Sequence, residues 1–257
     1  MYMKNITTID SLLREVWRYE PEILKLIFEF LFIQVYEDKE KKYRYIEAIP
    51  KPRTTCIKKD AFSGCSSLQS VIIPNSVTTI ERCAFFQCSS LKSVIIPNSV
   101  KTIDAGAFSF CSSVKSVTIP NSVETIGRCA LSGCLSLKLV TIPNSVTFIG
   151  KYAFYKCLSL TSVTIPNSVT TIERCAFFHC SSLTSVTISN SVTSIGGGAF
   201  YQCSSLKSVT IPKSVETIDR SAFSQCNKLN QASIPKHLEE RVRELEVFPE
   251  HTKIIVR

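Results

Sequence analysis

The sequence has little glycine, histidine and tryptophan, and each shortage argues against a class of structure or site. Its 257 residues include eight glycines, three histidines and one tryptophan. Glycine is the default residue for left-handed backbone, so its scarcity predicts a fold with few strained turns. No histidine stands at zinc-finger spacing from a cysteine, and no Cys-x-x-Cys pair occurs. The pattern therefore predicts no metal site.

Long apolar runs and blocks of like charge are also missing. The most apolar early run, residues 23–35, contains Lys25 and Glu29 and is too short to span a bilayer. Charged residues such as Arg14 and Glu15 interrupt the place where the core of a secretory signal would lie. Lys and Arg outnumber Asp and Glu by 30 to 21 without a basic block, so nothing favours a nucleic-acid partner. We expect no membrane insertion and an intracellular, cytoplasmic location, with the cell surface open if the N-terminus is incomplete.

What the sequence does contain is a repeat of 23 residues. The phrase Ser-Val-x-Ile-Pro-Asn-Ser-Val returns from Ser70 onward, and one cysteine column keeps the same step without drift at 65, 88, 111, 134, 157, 180, 203 and 226. One unit, read from residue 68, is L-x-x-V-x-I-P-x-S-V-x-x-I-x-x-x-A-F-x-x-C-x-x. A strict period of this length predicts a solenoid, because one short coil cannot bury its own apolar residues.

The positions within the unit predict a strand, a turn and a core. Val71 and Ile73 alternate with polar or outward positions as in a strand, and Pro74 ends it. A phenylalanine column, filled once by Leu131, is expected to form the bulky core. The cysteine column is expected to be buried as reduced thiols, because stacked residues about 4.8 Å apart are too distant for a disulfide. Unpaired thiols favour a reducing compartment.

The repeat unit resembles the BspA-type leucine-rich repeat, over residues 46–235 in about eight units. The resemblance implies a right-handed, strand-rich α/β superhelix, the leucine-rich-repeat solenoid, and a non-enzymatic binding role. Many members of this family are cell-surface proteins that attach to host or matrix proteins, so the resemblance also implies an adhesin as an alternative function.

The two ends are predicted to cap this solenoid. Residues 1–45 are expected to form a helical N-terminal cap, with helix over 10–35. Residues 21–31 resemble the opening of an F-box, which would imply a substrate adaptor of a ubiquitin ligase. Residues 236–257 are expected to form a C-terminal cap with a helix over 238–245 and an edge strand over 253–257.

Two outward columns are candidates for binding a protein partner. The preferred one is aromatic, because aromatic residues are enriched in interface cores. It consists of Phe86, Tyr155, Phe178 and Tyr201. The other is basic and consists of Lys92, Lys115, Lys138 and Lys207. A third column holds Glu81, Asp104, Glu173 and Asp219 with glycines between them, which indicates a tolerant turn.

No nucleophile elbow, phosphate loop or metal-ligand cluster is present. The sequence therefore predicts a non-enzymatic protein–protein interaction scaffold that uses no cofactor and is a monomer. Its protein partner is not identified by the sequence.

Overall fold

Each repeat forms one coil of a parallel β-solenoid, with two strands per coil. The computed structural model of the chain describes residues 32–38, 43–49 and 55–257. The strands that begin the coils are β1 (Phe32–Asp38), β2 (Tyr43–Ile49), β4 (Leu68–Ile72), β6 (Ser93–Ile95), β8 (Ser116–Thr118), β10 (Leu139–Thr141), β12 (Ser162–Ile165), β14 (Ser185–Ile188), β16 (Ser208–Thr210), β18 (Gln231–Ile234) and β19 (Lys253–Val256). The short strands are β3 (Cys56–Ile57), β5 (Thr79–Ile80), β7 (Thr102–Ile103), β9 (Thr125–Ile126), β11 (Phe148–Ile149), β13 (Thr171–Ile172), β15 (Ser194–Ile195) and β17 (Thr217–Ile218).

Equivalent residues of successive coils pair in parallel register. Val71 pairs with Val94, and Val94 with Val117, at a constant step of 23 residues. The ladder of longer strands runs β1-β2-β4-β6-β8-β10, then β12-β14, then β16-β18-β19. The ladder of short strands runs β3 to β11 and then β13 to β17. The predicted solenoid register is confirmed.

The core consists of continuous columns of identical or similar side chains. Phenylalanine rings stack on the next coil with centroids 4.7–5.3 Å apart, in one column from Phe62 to Phe108 and another from Phe154 to Phe248. Leu131 separates the two stacks and is fully buried. All eight cysteines of the predicted column are buried, and all twelve cysteines of the chain are free thiols. The predicted phenylalanine and cysteine columns are confirmed.

The turns differ from the expectation of few strained positions. Two positions in every coil from residue 60 to residue 225 have a left-handed backbone, and glycine fills only four of them. One position comprises Asp60, Cys83, Gly106, Cys129, Tyr152, Cys175, Gly198 and Ser221. The other comprises Gly64, Gln87, Phe110, Gly133, Lys156, His179, Gln202 and Gln225. The expectation is wrong because coil-to-coil hydrogen bonds compensate the strain: the Cys83 N–H donates to the Ala105 carbonyl at 2.9 Å, and the Gln87 N–H to the Ser109 carbonyl at 2.8 Å.

The N-terminal strands correct part of the predicted helical cap. β1 and β2 pair in antiparallel fashion, and β2 pairs in parallel with β4. Residues 32–35 and 43–45 are therefore strand, where the sequence analysis expected helix or a helical cap. Phe32, Ile33, Val35 and Tyr36 are residues that favour strands. The rest of the helical prediction, residues 10–31, and the F-box resemblance at 21–31 lie outside the described residues.

The C-terminal segment replaces the next coil. It contains a 3-10 helix (Lys236–Leu238), the helix α1 (Glu239–Glu244) and β19, so the predicted helix and edge strand are present. In four coils a serine hydroxyl donates to a valine carbonyl of the coil before, as Ser214 does to Val192 at 2.8 Å. The ring Nε2 of His237 continues this series, 2.7 Å from the Val215 carbonyl oxygen.

Candidate protein-binding surface

The structure brings three of the four predicted aromatic residues together. Tyr155, Phe178 and Tyr201 occupy the same position of consecutive coils and are partly exposed. The Tyr155 and Phe178 rings lie 5.4 Å apart at 35°, and the Phe178 and Tyr201 rings lie 4.8 Å apart at 19°. The sequence expectation of an outward aromatic column is met over these three coils. They form one continuous stack along the solenoid.

Phe86 does not join this stack. The two coils between it and Tyr155 carry Ser109 and Ser132, which are buried. Phe86 instead contacts Phe110 edge-on, with centroids 5.8 Å apart. Phe110 is 46% exposed and was missed by the sequence analysis, because it belongs to a column filled mostly by glycine and polar residues. Phe86 and Phe110 form a separate aromatic pair.

Tyr152 extends the stack sideways. Its ring meets Tyr155 edge-on at 5.9 Å. Sequence reasoning missed Tyr152 because the same position holds cysteine or glycine in most other coils. The Cys175 thiol of the next coil raises the pKa of the Tyr152 phenol, by charge interaction first and by hydrogen bonding second. Tyr152 is therefore a neutral phenol at physiological pH.

Basic side chains lie over the rings. The Lys156 Nζ is 5.2 Å from the centre of the Tyr155 ring, and the Arg128 Cζ is 6.0 Å from the centre of the Tyr152 ring. These distances are within the range of cation–π contacts. We call Arg128, Tyr152, Tyr155, Lys156, Phe178 and Tyr201 the aromatic–basic patch.

The predicted lysine column lies elsewhere on the coil, next to the start of the longer strands. Lys92, Lys115 and Lys138 are exposed on consecutive coils, and their backbones are linked by hydrogen bonds of 3.3 and 3.0 Å. Lys207 is also exposed but is separated from them by Thr161 and Thr184. The structure thus keeps this column apart from the aromatic position of the repeat.

A family comparison agrees with the repeat geometry. The model of the BspA type leucine rich repeat region matches residues 42–161 and 147–243, in six copies. The chain belongs to the BspA-type leucine-rich repeat family. This membership supports a role as a repeat scaffold or an adhesin-like protein.

Solved structures show the same fold as this BspA-type protein. A leucine-rich repeat protein of Treponema pallidum is 26% identical, with a TM-score of 0.60, over 86% of this chain and 97% of that one. The pneumococcal vaccine antigen PcpA is 18% identical, with a TM-score of 0.53, over 80% of this chain and 60% of that one. No curated protein matches the chain.

The acidic column of this BspA-type repeat is less tolerant than its mixed composition suggests. At Gly127, Gly150 and Gly196 an added Cβ would lie 2.6–2.7 Å from a backbone nitrogen of the coil before. The interpretation as a tolerant turn is therefore wrong for these coils, because the glycines permit close backbone approach.

Two other kinds of site were sought in the described part of the BspA-type chain. Over residues 55–257, no group of three or more His, Cys, Asp or Glu side chains is placed to hold a metal ion. Among the described residues, no helix is long and apolar enough to cross a membrane.

Proposed function

We propose that this BspA-type protein is a non-enzymatic, monomeric scaffold that binds a protein partner through the aromatic–basic patch. The observation that carries the proposal is the partly exposed stack of Tyr155, Phe178 and Tyr201. Aromatic rings are enriched at the centres of protein interfaces and lose little conformational entropy on binding.

The solenoid supports this role by holding the patch rigidly. The backbone of each ring residue is tied to its neighbours: the Tyr155 N–H donates to the Tyr152 carbonyl at 3.1 Å, and the Tyr155 carbonyl accepts the Gly133 N–H at 2.7 Å. Directly beneath the patch, the buried rings of Phe154, Phe177 and Phe200 stack in the core. A partner then meets a surface that is already ordered, which reduces the entropic cost of binding.

The cysteines support an intracellular location as part of the proposal. Eight of the twelve are in a buried column, and thiols from Cys88 to Cys226 donate to backbone carbonyls. Such a thiol-rich core suits a reducing compartment. Protease treatment of intact source cells is expected to leave the protein uncut; complete digestion would instead favour the adhesin-like role.

The proposal is tested by removing the rings while keeping the repeat. Serine is a suitable replacement because Ser63, Ser109, Ser132 and Ser224 occupy the same position in other coils. The triple variant Tyr155→Ser, Phe178→Ser, Tyr201→Ser is expected to fold, as judged by circular dichroism and thermal melting, but to lose partner capture from lysate of the source cells.

The matched control changes the other candidate column. The variant Lys92→Ser, Lys115→Ser, Lys138→Ser is expected to retain capture. Partner placement is checked with a photo-crosslinking amino acid at position 201, compared with one at position 208 on the exposed strand face. If the lysine variant loses the partner and the aromatic variant keeps it, the aromatic–basic patch is not the binding surface.

A further inference from the structure

We infer that the aromatic–basic patch binds an acidic polypeptide segment that also carries an apolar anchor side chain. This inference rests on the proposed function and adds the chemistry of the partner.

The first step is the charge of the coils that carry the patch. Residues 125–215 contain a single acidic residue, Glu173, against seven basic ones. The basic residues are Arg128, Lys138, Lys151, Lys156, Arg174, Lys207 and Lys213. Since the surplus over this stretch is 7 − 1 = +6 and the whole chain has +9, two thirds of the net charge lies here.

The second step is that these charges have no carboxylate partner within the described residues. The ion pairs found there join Lys58 to Glu81, Lys59 to Asp60, and three arginines of residues 220–243 to nearby acids. None of these pairs involves Arg128, Lys151, Lys156 or Arg174. Lys156 and Arg128 lie over tyrosine rings instead. Their positive charge is available to an incoming carboxylate.

The third step is the orientation of the rings. Tyr155, Phe178 and Tyr201 cover one another's faces, with centroids 4.8–5.4 Å apart. A nucleic-acid base needs a free ring face for stacking, and this stack offers mainly ring edges. Ring edges carry partial positive charge, because the negative part of the quadrupole lies on the face. The edges therefore add to the attraction for carboxylates and provide apolar area for an aliphatic or aromatic anchor.

The test is an unbiased selection of peptides. The full chain is immobilised and used to select from a displayed library of random twelve-residue peptides. We expect enriched peptides to carry an excess of Asp and Glu together with at least one large apolar residue. Their affinity should fall by about tenfold or more between low and physiological salt, because exposed charge attraction is screened.

Variants of the chain separate the two parts of the inference. The charge-reversed variant Lys151→Glu, Lys156→Glu, Arg174→Glu should lose at least about tenfold in affinity for the selected peptides, a change of about 1.4 kcal/mol. The matched control Lys92→Glu, Lys115→Glu, Lys138→Glu makes the same change in net charge on the other column. It should weaken binding by less than about threefold, since its charges lie away from the patch.

The outcomes distinguish this inference from the proposed function. Enriched peptides that are neutral or basic, yet lost by the triple serine variant, would overturn the acidic partner while leaving protein binding intact. Peptides that bind the serine variant as well as the unchanged chain would overturn both. Tighter binding of single-stranded oligothymidine or of phosphatidylserine vesicles, lost in the charge-reversed variant, would replace the polypeptide with a nucleic acid or a lipid surface.

Discussion

The thiol of Cys180 donates a hydrogen bond to the carbonyl oxygen of Phe154, 3.2 Å away in the coil before. The same carbonyl accepts the backbone N–H of Cys157, also at 3.2 Å. The arrangement repeats from Cys88 to Cys226 at 3.1–3.3 Å. The column therefore does more than fill space, because each thiol links two coils through a donor that alanine lacks.

Replacing Cys180 by alanine is expected to lower the free energy of unfolding by about 1–2 kcal/mol, through the lost thiol contact and the small cavity. Urea denaturation followed by circular dichroism measures the change. Cys129→Ala is the matched control, since Cys129 is only partly buried, and it should change stability by less than about 0.5 kcal/mol. Equal effects of the two variants would contradict a stabilising thiol column.

Stability is expected to fall in alkaline solution. Burial raises the pKa of the Cys180 thiol to about 12, and burial also raises the pKa of Cys134, Cys157 and Cys203. An unfolded thiol has a pKa of about 8.5. Above that pH the unfolded chain releases protons that the folded chain retains, so the stabilisation present below pH 8.5 is lost progressively up to pH 12.

Urea midpoints measured at pH 8, 9.5 and 11 test this prediction. Each buried thiol is expected to contribute a slope of up to about 1.4 kcal/mol per pH unit within that window. Cys180→Ala should have a shallower slope than the unchanged chain, which separates the thiol effect from the titration of lysine and tyrosine. Parallel slopes for the two proteins would exclude Cys180 as a source of the pH dependence.

Alkylation should divide the cysteines into two classes. Cys56, Cys83 and Cys129 are partly exposed, whereas Cys134 and Cys157 are fully buried. Because only the thiolate reacts and burial disfavours it, iodoacetamide at pH 8 should label the buried residues at least ~100-fold more slowly. Peptide mass spectrometry reads the rates, with full labelling in 6 M guanidinium as the control. Comparable native rates would mean that the coils open readily.

The repeat period made most of the fold predictable. A constant step of 23 residues places Val71 on Val94 whatever the local backbone, so the columns and the register followed from the sequence. Period alone does not define backbone angles, and the left-handed residues such as Gln87 and Lys156 could not be found from a scarcity of glycine. The strand at Phe32–Asp38 was missed because its apolar residues were assigned to a helix.

The candidate site was predictable only in part. Tyr155, Phe178 and Tyr201 share one repeat position, so their proximity followed from the period. Tyr152 and Phe110 each occur once in columns filled otherwise by small or polar residues, and a column average conceals them. The charge of the patch was hidden for a different reason: it arises from the scarcity of acids over residues 125–215, not from a run of basic residues.

A glycine of the acidic column should be sensitive to a single methyl group. At Gly150 an added Cβ would lie 2.6 Å from the Arg128 backbone nitrogen, whereas at Gly197 the nearest atom is 3.4 Å away. We expect Gly150→Ala to reduce the free energy of unfolding by about 1–3 kcal/mol, because the neighbouring backbone must shift. Gly197→Ala should be within about 0.5 kcal/mol of the unchanged chain. Similar urea midpoints for both variants would contradict the close approach at Gly150.

The C-terminal end of the core should open locally when its last ring is removed. Phe248 stacks on Phe223 with centroids 5.3 Å apart and ends the phenylalanine column. In a solenoid each coil contacts only its neighbours, so Phe248→Ala should increase amide hydrogen exchange over residues 223–234 while leaving residues 108–131 unchanged. Phe110→Ala, a partly exposed ring outside the core column, is the control and should leave the C-terminal coil protected. Faster exchange across all coils after Phe248→Ala would show instead that the solenoid unfolds as one cooperative unit, with Phe248 stabilising every coil through the stack.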